Sequence, residues 1–252
     1  EEDQIEDEIK NLIDFIEYIY KKVFNFEYKI ELSTRPEKFQ GDKKTWEIAE
    51  KALESALKNK KVKYEINPGS GTFYGPKIDF HVKDSLGRTW QLSTIQLDFS
   101  MPQKFNLTYE GKDGKKHQPV VIHRAIFGAV ERFMAVLIEH YAGKLPLWLA
   151  PTQIIILTVS EKNNKFAKDI YEKLKENNIR VELDDRAESI GRKVRDAVLL
   201  RINYIVTIGD KEQEQKTLAV RDFNEKVKYG IKIDKFINEL KNEINEKNNA
   251  DA

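Results

Sequence analysis

Apolar residues recur every three or four positions over the first 23 residues, which is the spacing of one face of a helix. A first helix is therefore predicted over residues 3–24, and a short strand follows at 28–32. Asp42 has the position of a helix N-cap, so a second helix is predicted from there to about Lys58. The buried face of this second helix would carry Trp46, Ala49, Leu53 and Leu57.

Strict alternation replaces the helical period after Asn67. Residues 77–83 place Ile78, Phe80 and Val82 on one face and Lys77, Asp79 and His81 on the other, which is typical of a strand. Gly87 then turns the chain back, so an antiparallel hairpin is predicted. The predicted elements of this region are strands 77–83, 89–99 and 119–123 and an apolar helix over 125–141 that ends at Gly143.

Strands and helices alternate from residue 153 onward, and this pattern indicates an α/β sheet covered by helices. The predicted strands are 153–159, 179–183, 204–208 and 217–221, and the predicted helices are 164–176, 189–201 and 233–244. Pro146 and Pro151 bracket a stiff connector, so two domains are predicted, 1–146 and 147–252. The fold class is α/β: an antiparallel α+β portion, then a mixed sheet covered by helices.

Net charge, cysteine content and the length of apolar runs exclude some classes of protein. Lys and Arg total 43 against 42 for Asp and Glu, so RNA contacts must come from local patches rather than from net charge. The absence of Cys excludes disulfides and Cys-ligated metal within the chain and fits a cytoplasmic location. No apolar run approaches the ~18 residues of a membrane span.

The two ends of the sequence carry expectations of their own. The helical period begins almost at residue 1 and no initiator Met is present, so a fragment of a longer protein is predicted. The last six residues are polar and are expected to fray.

Two positions in the first half invite a chemical interpretation. The run from Gly69 to Gly75 lacks the spacing of a dinucleotide loop, which leaves an ordinary turn or a loop that carries Tyr74 and Lys77 over a pocket. His123 lies where a strand meets a helix, a usual rim position for a site, although a packed or surface histidine fits the same pattern.

Arginines in two helices also admit more than one interpretation. Arg132 lies among apolar residues and must snorkel, pair with Glu131 or face a cavity, where its guanidinium can stack on an aromatic ring. Arg192, Lys193, Arg195 and Arg201 share a later helix, which is either a solvated face or an RNA-facing side.

In their order along the chain, six short runs resemble threonyl-tRNA synthetases. They are LSTRPE (32–37), GTFYGPKI (71–78), QLDF (96–99), IHRA (122–125), GAVERF (128–133) and WLAP (148–151). The resemblance covers nearly the whole chain. It identifies residues 1–146 with the rear of a class II catalytic domain, including motif 3, and residues 147–252 with an anticodon-binding domain.

The resemblance implies ATP-dependent attachment of L-threonine to its tRNA through threonyl-adenylate. It assigns catalytic roles to Lys77, Gln96 and Tyr74, with Tyr74 and Gln96 also near the threonine. The implied ATP contacts are Gln91, Thr94 and Arg132. Alternation along the strand sets Gln91 opposite to Thr94 and Gln96 unless a β-bulge intervenes.

The family pattern also makes His123 one of three protein ligands of a zinc ion, and it brings Mg²⁺ with ATP. Valine is nearly isosteric with threonine, and an apolar pocket discriminates poorly between isosteres. A zinc that binds the threonine hydroxyl would reject valine, because valine has no hydroxyl. Motifs 1 and 2 would lie upstream, so the chain is expected to be inactive alone, and the intact enzyme to be a homodimer.

In the second domain Arg195, Glu212 and Arg221 match the family positions that read the anticodon of threonine tRNA. Ala187 stands where bacterial members often carry Asn, and Leu92-Ser93 stand where many carry Cys-Gly. The alternative to a catalytic synthetase is a non-catalytic paralogue or an RNA-binding module. No membrane association is expected.

Overall fold

A computed structural model describes residues 1–247. Two compact units are present, Glu1–His140 and a second unit that begins at Tyr141. The last six residues are expected to fray, and all of them except Lys247 lie outside the described residues. The functional boundary between residues 146 and 147 stays a prediction.

The first unit is built on a five-stranded sheet with two long helices. Its helices are α1 (Ile5–Glu17), which continues as a π-helical turn (Tyr18–Val23), α2 (Lys43–Asn59), α3 (Ser100–Lys104) and α4 (Val130–His140). Its strands are β1 (Tyr28–Ser33), β2 (Tyr64–Asn67), β3 (Lys77–Lys83), β4 (Thr89–Asp98), β5 (Tyr109–Glu110), β6 (Lys116–His117) and β7 (Val121–Ala125).

The sheet has the order β2-β1-β3-β4-β7, and only the β1–β2 pair is parallel. Helices α1 and α2 pack together and against β3 and β4. The core between these helices and the sheet contains fully buried apolar side chains: Ile9, Ile13, Ile16, Leu53, Leu57, Ile78, Phe80, Val82, Ile95 and Leu97. The opposite face of β3 and β4 is therefore free for polar side chains.

The second and third predicted helices of this unit had different outcomes. Asp42 caps α2 as predicted, because its carboxylate accepts a hydrogen bond from the backbone N of Thr45 at 3.0 Å. The predicted helix over 125–141 starts five residues late, at Val130. Gly128 has φ +64° and a Cβ there would meet the Leu92 carbonyl oxygen at 2.5 Å, so a tight turn precedes the helix.

The turn between β3 and β4 is organised by a buried carboxylate. Asp84 accepts hydrogen bonds from the backbone N of Leu86, from the backbone and side chain of Arg88, and from the indole of Trp90. Burial alone would raise the pKa of Asp84, but the bonds from Trp90 and Arg88 outweigh it and lower the pKa to about 2. Asp84 thus holds the turn end of the hairpin, which is opposite to the end where Lys77 pairs with Gln96.

The second unit is a mixed sheet with helices on both faces. Its strands are β8 (Ile154–Thr158), β9 (Val181–Asp184), β10 (Tyr204–Ile208), β11 (Thr217–Arg221) and β12 (Val227–Lys232), and its helices are α5 (Asn164–Glu176), α6 (Ile190–Leu199), α7 (Asp210–Gln215) and α8 (Ile233–Glu246). The order is β12-β11-β10-β8-β9, with β8 parallel to β9 and β10.

Each face of this sheet has its own core. Residues of α5 and α8 pack on one face with Ile154, Ile156 and Val206, whereas Ala197 of α6 packs on the other with Ile155 and Ile205. The alternating side chains of β8 and β10 therefore serve both cores. Among residues 1–247, no helix is both long and apolar enough to span a bilayer.

Candidate functional site

A row of three predicted site residues crosses the sheet of the first unit. Gln96 in β4 pairs with Lys77 in β3 on one side and with His123 in β7 on the other. Directly paired residues in antiparallel strands point to the same face with their Cβ atoms about 5 Å apart. The structure thus brings together three residues that are far apart in sequence.

Tyr74 reaches this row from the loop that precedes β3. Its hydroxyl donates a hydrogen bond to Oε1 of Gln96, and its ring meets the His123 ring edge-on with centroids 5.5 Å apart. The loop can approach so closely because Gly75 has no side chain; a Cβ there would lie 1.9 Å from the Leu97 carbonyl oxygen. The loop thereby brings Tyr74 onto the same face as Gln96 and His123.

His123 is paired with a carboxylate that sequence reasoning did not single out. Its Nε2 lies 2.9 Å from Oδ2 of Asp98, whose side chain is 0% exposed. The other Asp98 oxygen accepts from the backbone N of Ser100 and Met101, at 2.8 and 3.0 Å. These bonds anchor the carboxylate, and the carboxylate in turn orients the imidazole.

A second carboxylate lies at the centre of the same face. Asp79 is 2% exposed, and its two oxygens accept hydrogen bonds from Ser33, Gln91 and Thr94 and pair with the Lys77 ammonium. The sequence pattern had placed Asp79 on the polar face of β3, but it gave no sign that this face is buried. The sequence signal for Asp79 and Asp98 is weak, because each is one of several polar residues that alternate with apolar ones along its strand.

A β-bulge brings Gln91 to the same face as Thr94. Ser93 pairs with Phe80 and Gln91 pairs with His81, so Leu92 is an extra residue without a partner on β3. The side chains of Gln91 and Thr94 consequently converge on one carboxylate oxygen of Asp79, at 2.5 and 3.0 Å. The bulge resolves the conflict that strict alternation had raised.

Arg132 marks the far end of the site. From α4 its Nη1 donates to the backbone carbonyl of Gln91 at 2.8 Å. Gln91 lies five residues from Gln96 along β4, a span of roughly 15 Å. Arg132 therefore lies beside Gln91, at the end of β4 away from the row of Lys77, Gln96 and His123, and Asp79 is paired with Thr94 between Gln91 and Gln96.

The three predicted anticodon residues lie on different elements of the second unit. Arg195 is exposed on α6, and Arg221 ends β11 opposite Ile205, a residue of the core under α6. Both arginines therefore occupy the α6 side of the sheet. Glu212 is in the first turn of α7, directly after β10, where its carboxylate accepts from the backbone N of Gly209 at 3.1 Å.

Lys193 differs from the other basic residues of α6. It is 2% exposed and donates to the carbonyl oxygens of Thr158 and Asp184, at 2.9 and 3.2 Å. It therefore joins α6 to the carboxyl ends of β8 and β9. The prediction that four basic residues share one side of this helix is therefore wrong for Lys193, which is buried, and for Arg201, which lies beyond the end of α6.

Two family models match the chain. The tRNA synthetase class II core domain (G, H, P, S and T) covers residues 1–141, and the anticodon binding domain covers residues 153–243. The chain therefore belongs to the class II tRNA synthetase family. Within it, the sequence corresponds to the C-terminal region of threonyl-tRNA synthetases, as the following similarities show.

The chain is 51% identical over 242 residues to the threonine–tRNA ligase of Caldanaerobacter subterraneus subsp. tengcongensis, covering 96% of this chain and 37% of that protein. A solved structure described as the RNA binding domain of threonyl-tRNA synthetase from Cryptosporidium parvum matches with a TM-score of 0.89 and 39% identity, over 95% of this chain and 60% of that chain. A putative threonyl-tRNA synthetase from Aeropyrum pernix matches with a TM-score of 0.73 and 26% identity, over 98% and 62%. The chain thus spans well under half of the curated relative.

Proposed function

We propose that the protein attaches L-threonine to its tRNA in an ATP-dependent reaction through threonyl-adenylate. The observation that carries this proposal is the row Lys77–Gln96–His123, capped by Tyr74, on a class II core. In this proposal the end of the face at His123 and Tyr74 takes the threonine. The end at Gln91, Thr94 and Arg132 takes the nucleotide.

The chemistry of each end suits its proposed ligand. Because the Tyr74 hydroxyl donates to Oε1 of Gln96, its oxygen can still accept a hydrogen bond from the amino group of threonine. The Gln96 amide nitrogen can donate to the acyl group. Arg132 is exposed beside β4 and offers a planar cation that can stack on adenine. Lys77 belongs to the row of Gln96, and its ammonium reaches Asp79 between the two ends. A cation there would stabilise charge that develops on the reacting phosphate.

We propose a zinc ligand role for His123 alone among the residues of this chain. The described residues hold no group of three His, Cys, Asp or Glu side chains that could bind a metal, so other ligands would have to come from elsewhere. The His123–Asp98 pair fits the role, because the second ring nitrogen of a ligating histidine is usually held by a carboxylate, a backbone carbonyl or a water. A bound zinc would supply recognition of the threonine hydroxyl.

Further features of the proposal rest on the family resemblance. They are Mg²⁺ bound with ATP, a homodimer, a cytoplasmic location, and catalytic motifs that complete the site in the whole enzyme.

Threonine-dependent exchange of pyrophosphate into ATP by the complete protein tests the first step. We expect exchange with threonine and about 10⁴-fold less with valine, since a site that hydrogen-bonds a hydroxyl rejects the analogue without it. Lack of exchange together with retained tRNA binding would contradict the proposal and would indicate a non-catalytic paralogue or RNA-binding module.

The second unit yields a prediction about tRNA choice. Glu212→Ala should lower the preference for threonine tRNA over an anticodon-swapped tRNA by about 1–3 kcal/mol, because a carboxylate repels phosphate but accepts from a base amino group. Arg195→Ala and Arg221→Ala should do the same if they contact bases. If they contact phosphates, they should instead weaken both tRNAs alike and reduce the salt dependence.

Competition binding with the two tRNAs measures this preference. Glu214→Ala is the matched control, since Glu214 is an exposed glutamate on the same helix, α7. An unchanged preference in Glu212→Ala would mean that this face holds RNA without reading the anticodon.

A further inference from the structure

We infer that Asp79 is a positioning residue that sets the nucleotide-binding end of the site by fixing the hydrogen-bond roles of Lys77, Gln91 and Thr94. This inference rests on the proposed function, and it assigns a task to a residue that makes no contact with ligand itself. Asp79 is 2% exposed beneath these three side chains.

Both oxygens of Asp79 are used. Oδ1 accepts from Gln91 Nε2 at 2.5 Å and from Thr94 Oγ1 at 3.0 Å, and Oδ2 accepts from Ser33 Oγ at 2.9 Å and lies 2.8 Å from Lys77 Nζ. An ionised carboxylate has about four acceptor sites, so four donors saturate it. Three of the four donors are residues that the family pattern assigns to the reaction or to ATP.

The bonds to Asp79 determine which donor and acceptor atoms of these side chains stay available to a ligand. The Thr94 hydroxyl gives its only hydrogen to Asp79, so toward a ligand its oxygen can act only as an acceptor. Gln91 retains one amide hydrogen and its carbonyl oxygen, and the Lys77 ammonium retains two hydrogens. Such a face matches the hydroxyl and amino donors of a nucleoside beside the oxygens of a phosphate.

Local geometry makes this arrangement depend on Asp79. Gln91 reaches Asp79 only because the bulge at Leu92 turns its side chain to this face. Lys77 lies on the neighbouring row of the same face, two residues along β3. Without a carboxylate at the centre, the three side chains lose their common acceptor and each can adopt other rotamers.

Asp79→Asn tests the inference in the complete protein, because the asparagine has the same size but its amide nitrogen would face donors. We expect kcat/KM for ATP in threonine-dependent exchange to fall roughly 100-fold, as a displacement of about 1 Å in a site can cause. The KM for tRNA in aminoacylation should stay nearly constant, because none of the partners of Asp79 is a residue proposed to read the tRNA anticodon.

Asp84→Asn is the matched control. Asp84 is another buried carboxylate with four donors in the same hairpin, but its partners Leu86, Arg88 and Trp90 lie outside the site. This variant should lower Tm and leave ATP kinetics unchanged. Asp79→Glu keeps the charge but shifts the oxygens by about one methylene, so we expect an intermediate, roughly 10-fold loss, which is measurable even if Asp79→Asn fails to fold.

The possible outcomes distinguish the positioning role of Asp79 from the proposed function of the whole enzyme. If wild-type protein exchanges normally but both Asp79 variants keep ATP kinetics like those of Asp84→Asn, the positioning role is wrong and the proposed function stands. If all KM values change together with Tm, Asp79 is merely structural. If wild-type protein shows no exchange, the proposed function fails and the role of Asp79 fails with it.

Discussion

His123→Ala should lower threonine-dependent exchange at least 100-fold and remove bound zinc from the complete protein. Loss even of a residue that supports a metal ligand typically costs 10–100-fold in affinity or activity, and loss of the ligand itself should cost more. His123 also lies at the centre of local contacts, since it pairs with Gln96, packs on Tyr74 and is held by Asp98. Metal analysis and exchange assays on the same preparation measure the two effects together.

His117→Ala is a close control for this experiment. His117 is also 44% exposed and also lies 2.9 Å from a carboxylate, that of Asp113, but it belongs to the separate ribbon of β5 and β6. We expect wild-type zinc content and exchange in this variant. Full zinc occupancy in His123→Ala would show that His123 is not a ligand.

Lys77→Ala should lower kcat of the exchange reaction by about 10²–10³, the usual cost of removing a group that stabilises charge in a transition state. The side chain is only 13% exposed, and its ammonium lies 2.8 Å from Asp79, so it is held in place before any ligand binds. The substitution leaves Asp79 with Ser33, Gln91 and Thr94 as donors, and the nucleotide end should therefore keep most of its shape.

Lys83→Ala provides the comparison, because Lys83 ends the same strand, is 52% exposed and pairs loosely with Glu27 at 3.7 Å. It should behave as wild type. A loss confined to the KM for ATP in Lys77→Ala, with kcat unchanged, would assign Lys77 to ground-state binding and contradict a role in the chemical step.

Elements with a clear period were predictable. The limits of β3, α5, β10 and β11 agree with the predicted limits, because alternation or helical spacing ends abruptly at turn residues. Short elements without a period of their own were missed, among them β2, α7 and β12. Strand β2 exists because β1 offers it a parallel partner, and such a partner cannot be recognised from a local window.

Some residues of the candidate site were predictable from the sequence and others were not. The resemblance supplied Tyr74, Lys77, Gln96, His123 and Arg132 from local runs of residues. Asp79 and Asp98 stayed hidden because their importance comes from donors that lie up to 46 residues away in sequence. The prediction that residues 195, 212 and 221 read an anticodon awaits the tRNA experiment.

The sequence by itself determined the amphipathic helices, the β3–β4 hairpin, the α/β alternation of the second half and the family, since these follow from local period and short motifs. Only the tertiary structure decided which face of β4 carries Gln91, because a bulge depends on the pairing with β3. It also decided that the polar face of β3 is buried around Asp79 and that Lys193 is a core residue. Burial and shared hydrogen bonds are properties of assembled strands and helices, so no single segment of the sequence contains them.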